Sequence, residues 1–101
     1  MHSVTSNAVA DAVNWVLLTN RDNSGTFTIP DSAKEVSITF WDSATSYLIR
    51  GNIRFEMIAI QNATHLTAPC SNDGSSRWTI SNNGKTFTFT GGYKCVTVYY
   101  K

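Results

Sequence analysis

The sequence of 101 residues is short of charge: 15% of its side chains are charged, and the formal net charge at pH 7 is +1. Binding to nucleic acid through its phosphates needs a surplus of Lys and Arg, so we expect no nucleic-acid partner. An acidic disordered tail is not expected either, because 42% of the residues are hydrophobic. A chain of this length forms one domain with one modest core.

The sequence also lacks long apolar runs and has few cysteines. No run approaches the ~20 apolar residues that a membrane span needs, so we predict no membrane insertion. The first residues, Met1-His2-Ser3, have neither the basic nor the apolar region of a signal peptide. Two cysteines, Cys70 and Cys95, are too few for a disulfide scaffold. They either pair, if their strands are adjacent, or stay buried as free thiols, which is the interpretation we favour.

Residues for catalysis or metal binding are equally sparse. The two histidines, His2 and His65, have no acid or nucleophile motif beside them, and G-x-S-x-G does not occur. Asn72-Asp73-Gly74 lacks the oxygen ligands and the closing Glu of a calcium loop. The carboxylates available for a glycosidase pair are Glu35, Asp42, Glu56 and Asp73. Their scatter is typical of a solvated surface, so we predict no catalysis, no metal and no other cofactor.

Hydroxyl and amide groups, rather than charges, supply the polar surface. Ser, Thr and Asn make up 33 of the 101 residues. Thr favours strands, whereas Ser and Asn favour turns. This composition is typical of an extracellular or virion β-domain.

Apolar residues recur with a period of two after Trp15. Val36, Ile38 and Phe40, for example, alternate with polar or partly polar residues. Over residues 53–60 the parity of the apolar positions changes, which predicts a bulge or burial of both faces. Turn-forming residues separate the runs at intervals of about 8–12 residues. The sequence therefore predicts an all-β, antiparallel β-sandwich of roughly seven to eight strands with a jelly-roll-like arrangement.

One hairpin gives the clearest local prediction. Asn83-Gly84 is the strongest sequence signal for a two-residue type I′ turn. A loop of these two residues places Trp78 opposite Phe89 and Ile80 opposite Phe87. All four apolar side chains then share one face, so the turn and the hydrophobic pattern agree.

A short helix is predicted over residues 5–13, before the strands. Its apolar stripe consists of Val9, Ala12, Val13 and Val16, at i, i+3, i+4 and i+7. Isolated helices below ~12 residues rarely hold in water, so the stripe needs a partner. That partner is either the β-domain or the same helix of other chains. We therefore divide the chain into a helical segment, residues 1–14, and a β-sandwich, residues 15–101.

Three stretches, which reach both ends of the chain, carry a resemblance to a known family. They are Val4-Thr5-Ser6-Asn7-Ala8-Val9 with Ala12-Val13, then Trp15-Val16-Leu17-Leu18 with residues 25–30 and Glu35-Val36, and last Val96-Thr97-Val98-Tyr99-Tyr100-Lys101. They resemble the helix start, the opening strands and the V-Y-Y-[KR] ending of C-terminal β-domains in phage and prophage tail-fibre-type structural proteins.

The resemblance implies that residues 1–14 link to a fibrous shaft and that residues 15–101 form the tip of a fibre in the virion tail. It also implies a homotrimer that contacts the host surface and is made in the bacterial cytoplasm. The axis of the trimer would pass near Val9 and Val13, with Ala12 and Val16 in the same interface. No catalytic or binding motif comes with the resemblance.

Aromatic residues carry the remaining signal. Trp15 and Trp78 share the parity of the core, whereas Trp41 is out of phase with its strand and precedes a polar loop. Sugar recognition uses aromatic faces near Asn, Asp and Arg, because the ring stacks on the sugar while polar groups bind hydroxyls. The predicted ligand-binding residues are Trp41, Asp42, Tyr47, Arg50 and Tyr93. For Trp41, packing inside the domain or at a subunit interface is the leading interpretation and ligand binding is the alternative.

Three functions remain open at this point. The first is a non-enzymatic tip domain of a trimeric tail fibre that binds a glycan or protein of the host surface. The second is a structural role, in which the domain caps or assembles the virion fibre without contacting a receptor. The third is a small bacterial carbohydrate-binding module. Oligomeric state separates the third from the others, and binding to host cells separates the first from the second.

Overall fold

The computed structural model describes residues 14–71 and 74–101. This part of the chain forms eight strands and one 3-10 helix. In chain order they are β1 (Val16–Asp22), β2 (Thr26–Thr28), β3 (Glu35–Trp41), β4 (Ile49–Glu56), the 3-10 helix Met57–Ile60, β5 (His65–Ala68), β6 (Ser76–Ser81), β7 (Thr86–Gly91) and β8 (Cys95–Tyr100). The helix predicted over residues 5–13, with Val9, Ala12 and Val13, lies outside the described residues.

The strands form two four-stranded antiparallel sheets. The first sheet has the order β1-β8-β3-β4 and the second has the order β2-β7-β6-β5. The predicted all-β, sandwich-like architecture is confirmed.

The core lies between the two sheets. In β3, Val36, Ile38 and Phe40 are fully buried, while the residues between them are only partly covered. The second sheet contributes Trp78 and Phe87, which belong to the same hydrophobic cluster. Each such side chain stabilises the fold by about 1.5–3 kcal/mol through burial alone. The period of two therefore determines which side of each strand faces the other sheet.

The first sheet has two ends, which are defined by the direction of β3. Both Val16 of β1 and Val36 of β3 lie opposite Tyr100 of β8, so β1 and β3 run in the same direction. The strand β3, seven residues long, spans about 20 Å. We call its two ends the Glu35 end and the Trp41 end. The described chain begins at the Glu35 end, and Trp41 lies at the other.

The structure of residues 57–60 is neither the bulge nor the strand buried on both faces that the sequence predicted. They form the 3-10 helix, which begins where the Met57 N–H donates to the Lys34 carbonyl at 2.8 Å. Because the helix has a period near three, Ile60 is buried while Ile58 is 71% exposed. A change from strand to helix explains the change in parity without any bulge.

The hairpin β6–β7 has the predicted register. Trp78 lies opposite Phe89 and Ile80 opposite Phe87. The loop is wider than the predicted two residues: Ser81 pairs with Thr86, and the four residues 82–85 connect them. Asn82 joins Asn83 and Gly84 in the left-handed region, with φ of 55°, 58° and 81°. The Lys85 N–H closes the loop by donating to the Ser81 carbonyl at 3.1 Å.

We expect Gly84→Val to destabilise the domain through its backbone alone. A Cβ at Gly84 would lie 3.7 Å from the Gln61 carbonyl oxygen, which is an ordinary contact. A β-branched residue at φ +81°, however, should cost about 1–3 kcal/mol. Gly84→Asn is the matched control, since Asn tolerates this conformation. Urea unfolding measures both variants, and equal stability of Gly84→Val and the parent would contradict the strain argument.

Candidate functional site

The predicted ligand-binding residues all lie near the Trp41 end of the first sheet, where two arginines divide them into two groups. Trp41 and Tyr47 stack on Arg21, and Asp42 and Tyr93 contact Arg50. Arg50 was among the residues predicted from the sequence, whereas Arg21 was not.

Arg21 lies between two aromatic rings. Its Cζ atom is 3.9 Å from the centroid of the Trp41 ring and 4.5 Å from that of Tyr47. Its Nη1 also donates to the Ala44 carbonyl at 3.1 Å. Tyr47 is nevertheless 87% exposed, so the guanidinium contacts its ring and covers little of it. The result is an aromatic surface that contacts Arg21 and is open to solvent.

An irregular edge strand places Arg21 in this position. The register of β1 against β8 shifts twice, between Leu17 and Thr19 and between Thr19 and Asp22. Arg21 has φ 52°, in the left-handed region that non-glycine residues seldom adopt. Its N–H donates to Thr97 Oγ1 at 3.1 Å rather than to a backbone carbonyl. Such irregularities redirect a side chain, which here reaches across β8 to Trp41 on β3.

The hydroxyl of Thr97 holds this arrangement together. It accepts hydrogen bonds from Trp41 Nε1 at 2.8 Å and from the Arg21 N–H, and it donates to Asn20 Oδ1 at 2.9 Å. The donor and both acceptor positions of the hydroxyl are therefore used. The half-buried Trp41 thus packs within its own domain and supports the exposed ring of Tyr47 through Arg21.

The second group is built around Arg50. Its Nε and Nη2 both donate to Asp42 Oδ1, at 3.0 and 2.8 Å, and its Cζ lies 5.3 Å from the Tyr93 ring centroid. The Asp42 N–H also donates to the Leu48 carbonyl at 2.9 Å. These contacts close the β3–β4 loop, residues 42–48. Asp42 and Arg50 therefore fix the loop that carries Tyr47.

The Glu35 end carries a different surface, which is apolar. Leu17 and Tyr99 are 49% and 40% exposed, and they lie opposite each other on the outer face of the sheet. A cavity of about 340 Å³ beside them is lined by Trp15, Ser37, Arg54 and Tyr99. We call Leu17 and Tyr99 the Glu35-end strip.

Trp15 is not in the core, contrary to the prediction from its parity. Its ring lies under two cations, with Arg54 Cζ at 4.8 Å and Lys101 Nζ at 4.7 Å, and it is only half-buried. The reason is that Leu18, rather than Leu17, packs against the core. Trp15 shares the parity of Leu17 and therefore lies on the outer face of the sheet, beside Tyr99.

The nucleophilic side chains are separate from one another. Cys70 and Cys95 are free and buried, as favoured from the sequence. Burial raises the pKa of the Cys95 thiol, although the nearby Arg21 charge opposes the shift, so the thiol stays protonated. Cys70 Sγ lies 3.2 Å from Ser76 Oγ, whereas His65 Nδ1 lies 3.0 Å from Thr64 Oγ1.

One acid close to Arg21 is held in its ionised form. The Ser24 N–H donates to Asp22 Oδ1 at 2.7 Å, and this bond lowers the pKa of the Asp22 carboxyl. Hydrogen bonds from the hydroxyls of Ser24 and Thr19 to Asp22 Oδ2 act in the same direction. Asp22 is thus occupied by its own turn, and it forms no ion pair with Arg21 in the described part of the chain.

Within residues 14–71 and 74–101, no group of three His, Cys, Asp or Glu side chains is placed to hold a metal ion. In the same ranges no helix has the length and apolarity to cross a membrane. Comparison with protein-family models, curated proteins and solved structures finds no match. The geometry at the two ends of the first sheet is therefore the basis for assigning a function.

Proposed function

We propose that this chain is the tip domain of a phage or prophage tail fibre and that it binds a glycan of the host surface without catalysis. The observation that carries the proposal is the ring of Tyr47, 87% exposed and yet fixed by Arg21 on Trp41. Leaving a large aromatic face in water is unfavourable, and an exposed but ordered ring is typical of a binding surface.

The loop under Tyr47 is ordered by its own hydrogen bonds. The Ser46 N–H donates to Ser43 Oγ and the Leu48 N–H donates to Ser46 Oγ, both at 3.1 Å. With the Asp42–Arg50 ion pair, these bonds restrain the loop on both sides of Tyr47. A ring that is already ordered loses little entropy when a sugar stacks on it, so its binding energy is preserved.

The position of Tyr47 supports a tip rather than a shaft contact. The described chain begins at the Glu35 end, and Tyr47 lies by the opposite end, about 20 Å away along β3. A shaft connected through residues 1–14 would leave the Trp41 end pointing outward.

The finer features of the fold belong to the same proposal. β1 lies beside β8 in one sheet and β2 lies beside β7 in the other, which supports a jelly-roll-like winding of the chain. We also propose that residues 5–13 form the helix indicated by their sequence and that three chains associate through it.

The Glu35-end strip favours a second function, that of an assembly cap. Exposed apolar side chains grouped on one face are typical of subunit contacts. Val16, one of the predicted interface residues, precedes Leu17 and is 46% exposed in the single chain, but its side chain is on the other face of the sheet. In a trimer the strip would be covered by neighbouring copies, with or without a receptor at the other end.

Tyr47→Ala is expected to reduce binding to whole bacterial cells by about tenfold or more, the effect of losing one aromatic anchor. Because Tyr47 is 87% exposed, the free energy of unfolding of the variant should differ from that of the parent by less than about 0.5 kcal/mol. Binding of the fluorescently labelled protein to a panel of bacteria measures the effect. Ile58→Ala is the control, since Ile58 is also exposed and follows β4 at the Glu35 end. Equal binding by Tyr47→Ala and the parent would refute the glycan surface and leave the assembly cap.

For a longer protein that includes a shaft segment, we expect light scattering to give three times the mass of its own chain. The present chain should dissociate towards its monomer mass of 11.2 kDa on dilution. Leu17→Glu should shift the present chain towards monomer, because it places a charge in the Glu35-end strip. Thr88→Glu is the control: it introduces the same charge at an exposed position of the second sheet. Monomers in both the short and the long protein would contradict the trimer and favour a carbohydrate-binding module.

A further inference from the structure

We infer that the ligand at the Trp41 end is an acidic polysaccharide, with an anionic group bound by the guanidinium of Arg21 and a sugar ring stacked on Tyr47. The inference rests on the proposed function and names the class of glycan. It starts from the charge of Arg21, which no carboxylate of the described residues pairs with, whereas Arg50 and Arg54 each have an acid partner.

Arg21 keeps hydrogen-bond donors available for such a partner. Its Cζ atom lies over the rings of Trp41 and Tyr47, at 3.9 and 4.5 Å from their centroids. Its Nη1 donates to the Ala44 carbonyl. The remaining donors, Nε and Nη2, make no hydrogen bond within residues 14–71 and 74–101. They lie in the plane of the group, where a carboxylate or phosphate binds with two parallel hydrogen bonds.

The acids near Arg21 are already occupied. Asp22 accepts hydrogen bonds from Ser24 and Thr19, and Asp42 is paired with Arg50. Neither is available to neutralise Arg21. The charge is also held at a fixed place by a backbone in the left-handed region, which costs about 1–2 kcal/mol for a residue with a Cβ. A charge with a fixed position and an open edge is suited to recognising an anion.

The distances fit a chain of sugars rather than a single small ion. Tyr47 lies 4.5 Å from the guanidinium, and the exposed face of its ring is on the side away from it. A ring stacked there therefore lies on the far side of Tyr47, so the anionic group has to extend past the edge of the tyrosine. A carboxylate or phosphate on the same or the adjacent sugar unit has that reach.

The experiment measures binding of the full 101-residue chain to purified bacterial polysaccharides in three sets: uronate-containing, phosphate-containing and neutral. We expect the bound polymers to be anionic, and the first two sets identify whether the group is a carboxylate or a phosphate. Methyl esterification of a bound uronate polymer should weaken its binding by about tenfold or more, because it removes a charge-assisted hydrogen bond. Raising the salt concentration should weaken it further.

Two arginine variants distinguish a binding role from a structural one. Arg21→Gln should abolish the preference for the anionic polymer over its methyl ester, and Arg21→Lys should retain part of it, since Lys keeps the charge without the planar fork. Arg54→Gln is the matched control, because Arg54 also stacks on a tryptophan but lies at the other end of the sheet. The Arg54→Gln variant should prefer the anionic polymer over its methyl ester as strongly as the parent does.

Each outcome has a definite meaning. Selective binding of neutral polymers, or an unchanged preference in Arg21→Gln, would overturn the acidic ligand and leave glycan binding in place. Binding to no polysaccharide in any set would overturn the glycan proposal as well.

Discussion

Gly92→Ala is expected to destabilise the domain by about 3 kcal/mol or more, a large part of the ~5–15 kcal/mol that stabilises a typical domain. A Cβ at this position would lie 2.0 Å from the Ser75 carbonyl oxygen and 2.6 Å from Ser76 Cα. Both are backbone atoms at the start of β6, and they cannot rotate away as a side chain would. Gly92 also has φ +87°, which adds the cost of the left-handed region for any residue with a Cβ.

The backbone around Gly92 has little freedom to adjust. Ser76 is fully buried, and its hydroxyl both donates to the Tyr93 carbonyl and accepts from the Tyr93 N–H, each at 2.8 Å. These two bonds join the residue after Gly92 to β6. Moving the glycine away from Ser75 would break both bonds and leave buried polar groups unpaired.

Two other glycines allow the cost of the close contact at Gly92 to be separated from the cost of its positive φ. Gly91 does not have a positive φ, and no atom lies within 4 Å of the position that a Cβ would take, so Gly91→Ala should change the free energy of unfolding by no more than about 0.5 kcal/mol. Gly74 has φ +85° and open space, so Gly74→Ala should cost only about 1–2 kcal/mol from its backbone. In urea unfolding, the loss of stability should be smallest for Gly91→Ala, intermediate for Gly74→Ala and largest for Gly92→Ala. A loss at Gly92 no larger than that at Gly74 would contradict the close contact.

Trp78→Ala should cost about 3–5 kcal/mol, the range for a large aromatic residue removed from a core. Trp78 is fully buried, and its ring centroid is 5.2 Å from that of Phe27 and 5.4 Å from that of Phe89. Phe27 also stacks on Phe87 at 5.0 Å. Removing the indole therefore takes contacts from an aromatic cluster that joins three strands of the second sheet.

The indole nitrogen makes a second variant informative. Among the described residues, Trp78 Nε1 is buried with no hydrogen-bond partner, a penalty of about 1–3 kcal/mol in the native state. Trp78→Phe removes this donor while it keeps most of the aromatic volume. We therefore expect a much smaller loss than for Trp78→Ala, measured by chemical unfolding of both. A cost below about 1 kcal/mol for Trp78→Ala would show that this face of the hairpin is not the core.

The parts of the fold that follow from local pattern could be predicted from the sequence. The alternation in β3 identified Val36, Ile38 and Phe40 as buried, and turn chemistry with hydrophobic register gave the pairing of Trp78 with Phe89. Both depend on neighbours in sequence or on one short loop. The 3-10 helix at residues 57–60 could not be predicted in the same way. A change of hydrophobic period over four residues is equally compatible with a bulge, with burial of both faces and with a short helix.

The candidate site was predictable only in part. Trp41 was recognisable as out of phase with its strand, and its half-buried position against Thr97 agrees with packing inside the domain. Arg21 could not be found from its neighbours in sequence. Its role depends on two shifts of register in β1 and on contacts with Ala44 and Tyr47 in a distant loop, and only the folded chain brings these together.

The irregular pairing of β1 has a consequence for how copies of the domain meet. β1 is an edge strand, and a regular edge offers its free backbone groups as a template for another chain. Two breaks in register and the left-handed Arg21 bend this edge, so a second copy cannot continue the sheet along it. Copies that meet along β1 would then touch through side chains alone, which discourages open-ended stacking along this edge of the kind that produces amyloid.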